Sequence, residues 1–229
     1  MAGGRTNFRV SDGLGSGRSD LFQVGVYGRH TMGASYLTGA LAYGWQDVNT
    51  DRTLAIVGLD WLHADYTANT FSGRLEAGHR YAMGWMGATP YVAGQFTTFD
   101  LPAYSEQAQV GSNLFALNYG AKTATASRSE LGLRTDKSIA LADGILTLRG
   151  RFAWAHNFDT DRSIAATFQT LPGASFVVNG AAIGTDSALT SVAAEMTWRN
   201  GWSVAATFEG EFSNVSESYA GKGVLRYRW

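Results

Sequence analysis

Cysteine is absent from this chain, and charge is scarce. The first absence excludes disulfides and cysteine-ligated zinc. Charged residues make up 16 % of the 229 positions, against roughly a quarter in ordinary soluble proteins, and they sum to a net charge of -1. Without a basic excess there is nothing to neutralise phosphates, which argues against a general nucleic-acid binder. No run approaches the ~18 apolar residues of a spanning helix. The start, Met1-Ala2-Gly3-Gly4-Arg5, lacks the apolar core of an export signal. These absences together suggest a cytosolic protein, and what is present contradicts them.

What is present is glycine and aromatic residues: 28 Gly, 7 Trp, 10 Tyr and 12 Phe. That content with so little net charge excludes disorder, and the length suits one all-β domain. The recurring pattern is alternation. Over 202–212, Trp202, Val204, Ala206, Phe208, Gly210 and Phe212 share one face, opposed by Ser203, Ala205, Thr207, Glu209 and Glu211. A period of two denotes a strand with one apolar and one polar face. The same split places Leu37, Leu41, Tyr43 and Trp45 against Tyr36, Thr38 and Ala40, and Phe71, Leu75 and Ala77 against Arg74, Glu76 and Arg80. It places Leu131 and Leu133 against Arg128, Glu130, Arg134 and Asp136, and Leu148, Phe152 and Trp154 against Arg149 and Arg151. Further strands fall at 5–10, 22–29, 91–97, 192–199 and 219–229, about ten in all.

Short turns near Thr31-Met32, Gly84-Trp85, 141–144 and Asn200-Gly201 alternate strictly with long segments at 47–65, 99–120 and 158–186. An up-and-down antiparallel barrel with short turns on one side of a membrane and long loops on the other gives this order. A Gly/Ser loop at 12–20 belongs to the long-loop side, and no helix is needed anywhere.

A soluble barrel would turn the apolar faces inward, and a membrane barrel turns them toward lipid. Several alternating stretches reach ~10–12 residues, near the ~9–11 that a tilted strand needs to cross hydrocarbon. Aromatic residues cluster at strand ends (Trp45, Tyr81, Trp85, Trp154, Trp198, Trp202, Tyr227 and Trp229), as interfacial girdles do. The opposite face carries Arg74, Glu76, Arg80, Arg128, Glu130, Arg134, Arg149, Arg151, Glu195, Glu209, Glu211, Lys222, Arg226 and Arg228. In a wet lumen these charges pair across strands; in lipid an Arg or Lys at the midplane costs about 2–4 kcal/mol.

No catalytic, cofactor or metal constellation stands out. His30, His63, His79 and His156 lack metal-type spacing. His63-Ala64-Asp65 reads as a loop pair rather than an acid/base couple, and His79 and His156 read as interfacial. Glu195, Glu209 and Glu211 read as counter-charges to luminal arginines rather than a carboxylate dyad. The 12–20 loop lacks the Lys-Ser/Thr of a phosphate cradle, and no helix follows it.

Two stretches carry a family resemblance. The C-terminal strand Tyr219-Ala220-Gly221-Lys222-Gly223-Val224-Leu225-Arg226-Tyr227-Arg228-Trp229 ends on an aromatic residue, with apolar or aromatic residues at alternate positions before it. The second is the order Gly13–Asp20, Phe22–Gly28, Arg128–Gly132, Leu171–Phe176. Both resemble the C-terminal translocator barrel of autotransporters (type V secretion). The resemblance covers essentially 1–229 as one partial barrel domain, best over 18–229. It implies a twelve-stranded outer-membrane barrel of a Gram-negative bacterium, threaded by a linker helix that joins it to an upstream passenger. It implies no cofactor, no nucleic acid and no chemistry in the barrel itself. It also implies that Tyr219, Leu225, Tyr227 and Trp229 are read by the barrel assembly machinery. About ten strands rather than twelve imply a chain lacking the first two, with unpaired strand edges that lipid does not tolerate. Two other readings remain: a stand-alone barrel enzyme of protease or lipase type using His63 and Asp65, and a soluble ligand-binding barrel.

Overall fold

A computed structural model describes residues 1–10, 14–55, 59–159, 163–171, 173–180 and 183–229. It is an antiparallel sheet protein. The strands are β1 (Ala2–Arg9), β2 (Gly15–Met32), β3 (Ser35–Leu54), β4 (Asp60–His79), β5 (Tyr81–Met83), β6 (Met86–Leu101), β7 (Tyr104–Ser105) and β8 (Gln107–Val110). There follow β9 (Leu117–Tyr119), β10 (Lys122–Leu141), β11 (Gly144–Asn157), β12 (Ser163–Phe168), β13 (Ser175–Asn179), β14 (Asp186–Trp198), β15 (Trp202–Ser213) and β16 (Glu217–Tyr227). Among the described residues the one helical element is a 3-10 turn at Asn113–Phe115, and no helix is long and apolar enough to cross a membrane.

Ten strands form a continuous wall in the order β1-β2-β3-β4-β6-β10-β11-β14-β15-β16, with β5 and β8 added at its ends. Each neighbour is antiparallel and close in sequence, as an up-and-down meander requires. The wall does not close: among the described residues β1 and β16 have no pairing to each other. Below the Ala2–Gln23 pair, Val24–Met32 of β2 is paired with β3 alone.

Four tight connections fall at one end, and a fifth, 214–216 between β15 and β16, lies at the other. Met32 pairs with Ser35, so that turn is Gly33-Ala34, two residues beyond its expected place. Gly84-Trp85 and Ala142-Asp143 turn where expected, and Arg199–Gly201 closes the last hairpin on that side. At the other end the loops are more ordered than polarity suggests. Most of 47–65 is strand, because β3 and β4 run to Leu54 and from Asp60 as one ladder. The Gly/Ser segment becomes strand from Gly15; residues 11–13 lie outside the described residues. Segments 99–120 and 158–186 contribute a second sheet, β13-β12-β9-β7.

β3, β4 and β10 each have 20 residues, roughly 66 Å at ~3.3 Å per residue. Only about half of such a strand is needed to cross hydrocarbon. The remainder exceeds such a span. β11, β14, β15 and β16 are shorter, at 14, 13, 12 and 11 residues.

Burial settles which way the faces point. Leu75 is 58 % exposed, Leu131 61 % and Leu225 65 %, whereas Glu76 is 6 % and Glu130 5 % exposed. Apolar side chains cover the outside and carboxylates sit inside, the reverse of a soluble core. The soluble ligand-binding barrel, which needs an apolar interior, is therefore not favoured.

Candidate functional site

The inner face carries a connected set of charges. Arg74 and Glu76 are two residues apart on β4, so both point inward. Arg128, Glu130 and Arg134 do the same from β10, and Arg149 and Arg151 from β11. Register aligns Arg74 with Gln95 and Arg128, and Glu76 with Ala93 and Glu130. Ala93 is short enough to let side chains meet across it.

Arg74 grips Glu130 with both terminal nitrogens, at 2.9 and 2.8 Å, and donates to Glu76 at 2.9 Å. Arg134 donates to Glu76 through both terminal nitrogens, one at 2.9 Å, and to the Tyr36 hydroxyl at 2.9 Å. Tyr36 in turn donates to Glu76 at 2.8 Å. Arg151 donates to Glu130 at 2.6 Å and to the Tyr91 hydroxyl at 2.6 Å. The Arg134 guanidinium lies 4.2 Å from the centre of the Tyr91 ring. Five strands, β3, β4, β6, β10 and β11, are thus joined by one network of charge-assisted hydrogen bonds.

Two glycines make room for it. A Cβ at Gly132 would lie 2.5–2.6 Å from the Tyr91 ring, and one at Gly78 2.6–2.8 Å from Tyr36. Both rings lie down over bare backbone, which brings their hydroxyls to the carboxylates. Tyr36, Tyr91 and the counter-charge Asp136, held by Arg80 at 2.7 Å, complete the site beyond the residues singled out from sequence. The signal was available, since all three share the parity of the charged residues.

The remaining inward charges form smaller pairs. Arg149 meets Glu195 at 2.7 Å, with Arg226 3.8 Å from the same carboxylate, and Arg128 meets Glu211 at 3.2 Å. Among the described residues Glu209 and Lys222 have no ion pair. Arg228 lies past the end of β16, where its backbone N–H donates to Gly201. On the outer side of β16, Tyr227 packs against Trp202 at 5.0 Å and Tyr219 against Phe212 at 5.6 Å. Leu225 pairs with Val204, and Trp229 is fully exposed.

Above the network, the second sheet packs on the inward side chains of the tall β3–β4 hairpin. Leu62, Ala64, Ala68, Ala116, Leu117 and Ala166 are buried there. Arg52 forms an ion pair with buried Glu106 and donates to the Phe115 carbonyl at 2.8 Å. Glu106 accepts from the Leu117 amide at 3.0 Å. Tyr66, Tyr104 and Tyr119 stack at 4.1 and 4.5 Å. Burial, with Glu106 adding, pushes the Tyr119 phenol up to about 12, and burial raises Tyr104 as well, so both stay neutral.

On the outward side of the same hairpin, Asp51 accepts from Trp61 and faces His63 Nδ1, each at 2.8 Å. His63 Nε2 faces Asp65 at 2.9 Å. Hydrogen bonding to Asp51, then to Asp65, raises the His63 pKa despite some desolvation. Both ring nitrogens are held by carboxylates, and no serine is a partner, which is no arrangement for nucleophilic catalysis. The grouping recurs: Asp186 accepts from Trp154 at 3.0 Å and faces His156 Nδ1 at 2.9 Å. In each case the Asp lies directly across from the His on the neighbouring strand. His79 instead meets the Ser35 hydroxyl at 2.7 Å. Among the described residues no group of three or more His, Asp or Glu could hold a metal ion.

Comparison with known proteins agrees with this architecture. The translocator domain of the autotransporter NalP from Neisseria meningitidis superposes with a TM-score of 0.70 at 13 % identity, over 96 % of this chain and 70 % of that one. The beta domain of the Bordetella autotransporter BrkA gives 0.59 at 19 %, over 96 % and 76 %. At such identities the likeness shows the fold. Two proteins of Serratia marcescens, each described as an extracellular serine protease, are 23 % identical over 100 % and 92 % of this chain. The chain spans about a fifth of the length of these curated relatives, 22 % and 20 %. The family described as "Autotransporter beta-domain" matches residues 1–209. That match covers most of the strand wall and its inward charges, and the chain therefore belongs to the autotransporter beta-domain family.

Proposed function

We propose that residues 1–229 are the outer-membrane translocator and anchor of an autotransporter, supporting secretion or surface display of a passenger encoded upstream. One observation carries this reading: an apolar outer face backs a charged inner one, on strands long enough to cross a membrane with length to spare. The inner charges bind the wall together and keep the passage polar. The barrel performs no chemistry, and any catalytic activity resides in the passenger. No nucleotide or metal cofactor enters. The barrel assembly machinery is the partner that inserts the chain, reading Tyr219, Leu225 and Tyr227 on the edge strand β16 and Trp229 just past its end.

The test is surface display. In the full-length protein with an epitope-tagged passenger, deletion of Trp229 removes the tag from the cell surface and the barrel from the outer-membrane fraction, while Trp229→Phe restores both. Normal display after the deletion overturns the role of the terminal strand. A barrel recovered in the soluble fraction overturns the membrane assignment.

A further inference from the structure

Apolar side chains project from the outer face, but toward the tight-turn end of β2, β3 and β4 that face is hollow. A cavity of about 570 Å³ opens there. Val26, Leu41, Leu75 and Phe96 wall it, and Gly28 and Gly39, directly opposed across β2 and β3, leave bare backbone as its floor. Neither glycine is demanded by packing. A Cβ at Gly28 would meet nothing within 4 Å, and one at Gly39 only the end of Leu75, at 3.8 Å. At Gly73 a Cβ would lie 2.5 Å from Phe96, so that ring is laid over β4 and closes the hollow on its upper side. Below the hollow the same face turns polar. His30 stands two residues beyond Gly28 on β2, about 7 Å along the strand. Ser35 and His79 are opposed across β3 and β4, with Ser35 about 13 Å from Gly39. The Ser35 hydroxyl lies 2.7 Å from His79 Nδ1; with Ser35 donating, the Nε2–H of His79 is left to donate elsewhere. Tyr81 packs against the His79 ring at 4.7 Å. His30, His79 and Tyr81 are all exposed, and no outward position of 26–32, 35–41 or 75–81 is a carboxylate.

We infer that this hollow holds one acyl chain of a diacyl phospholipid, with the phosphodiester of the same lipid at His30 and His79. The inference rests on the membrane reading, which turns this face toward lipid, and it adds a lipid held at one place on the wall rather than exchanging with the bulk. An apolar concavity with a few hydrogen-bond donors at one end matches an amphiphile. The bare floor lets a chain lie against the wall at van der Waals distance, where protruding side chains would hold it off. Imidazole N–H groups donate to phosphate oxygens, and no carboxylate nearby repels them. Tyr81 suits the same level, since its ring favours the boundary between hydrocarbon and water. A polypeptide strand is a poorer occupant. One pairing with the free edge of β2 over Val24–Met32 would lie in the plane of the sheet, beside the hollow, and would leave its floor bare.

The experiment uses the 229-residue chain refolded in detergent, with folding verified by gel mobility that changes on boiling, and it counts bound lipid by native mass spectrometry. Dimyristoyl phosphatidylethanolamine is the probe. Dimyristoylglycerol, with the same chains and no phosphate, is the comparison. One phospholipid stays bound when the micelle is stripped, and dimyristoylglycerol is held about tenfold more weakly, as the loss of a hydrogen bond to a charged group requires. His30→Ala weakens the phospholipid by a similar factor and leaves dimyristoylglycerol unchanged. Gly28→Leu combined with Gly39→Leu fills the hollow and removes both. Gly223→Leu, at an outward glycine of β16 that also has nothing within 4 Å of its Cβ position, changes neither. Lipid retained after the hollow is filled, equal retention of the two probes, or an equal loss on Gly223→Leu (annular lipid only) overturns the inference. Should the double variant fail to refold, His30→Ala against the two probes decides the matter, because His30 is exposed. Insertion into phospholipid vesicles separates the two proposals. A chain that inserts but retains no lipid defeats this inference alone, whereas one that stays in the soluble fraction defeats the membrane reading itself.

Discussion

Glu130 accepts from Arg74 and Arg151 while almost fully buried, so its removal leaves the Arg151 guanidinium without its carboxylate and Arg74 with only the Glu76 carboxylate that Arg134 also uses. Breaking a buried pair in this way costs on the order of 3 kcal/mol. Glu130→Ala is therefore expected to lower the urea midpoint of the detergent-folded protein strongly, and Glu195→Ala, whose Arg149 partner is exposed, only slightly. Gly132→Val produces a related defect by displacing the Tyr91 ring. His63 gives a prediction in pH. Its folded pKa is raised above 6.5, so the stabilisation it gives to the rim is complete below pH 6.5 and lost as pH rises through the raised value. Protease nicking of the β3–β4 hairpin should increase across that window, and His63→Gln should flatten the profile. The charges of this residue-scale picture were legible from parity alone. The partners were not, because Arg134 reaches Glu76 across 58 residues of sequence and a period of two carries no information about distance along the sheet.

Strands are the part of the structure that the sequence discloses best. Alternation in 35–46, 71–77 and 202–212 maps directly onto β3, β4 and β15, because each face meets a different solvent and a one-residue slip would exchange them. Their outer ends were hidden. Beyond Gln46 the outward positions are Asp47, Asn49, Asp51 and Thr53, so the apolar half of the signal disappears while the ladder continues to Leu54. Segments 99–120 and 158–186 were hidden for another reason: their sheet is held by distant contacts such as Arg52 with Glu106 and by a tyrosine stack, with little periodicity of its own. Two substitutions test these assignments. Leu131→Arg, on the exposed outer face of β10, should cost about 2–4 kcal/mol, while Ser138→Arg on the same strand, on the inward parity and bordering a cavity of the inner wall, should be tolerated. Glu106→Ala should leave the membrane-embedded wall folded but open the outer sheet to limited proteolysis, since Arg52 and the Leu117 amide lose their shared acceptor.

At the scale of the whole molecule, the rim is uneven. β10 continues for Lys122–Ser127 beyond the point where Arg128 meets Asn157, the last residue of β11, an overhang of roughly 20 Å at ~3.3 Å per residue. The side from β2 to β10 is tall, and the side from β11 to β16 is low. The second sheet is fastened to the inner surface of the tall side. The mouth is therefore shaped like a chimney cowl, hooded on one flank and open on the other. In the proposed translocator role, a polypeptide leaving it is turned sideways over the low lip formed by β14, β15 and β16, and it emerges on the flank built from the last strands of the chain.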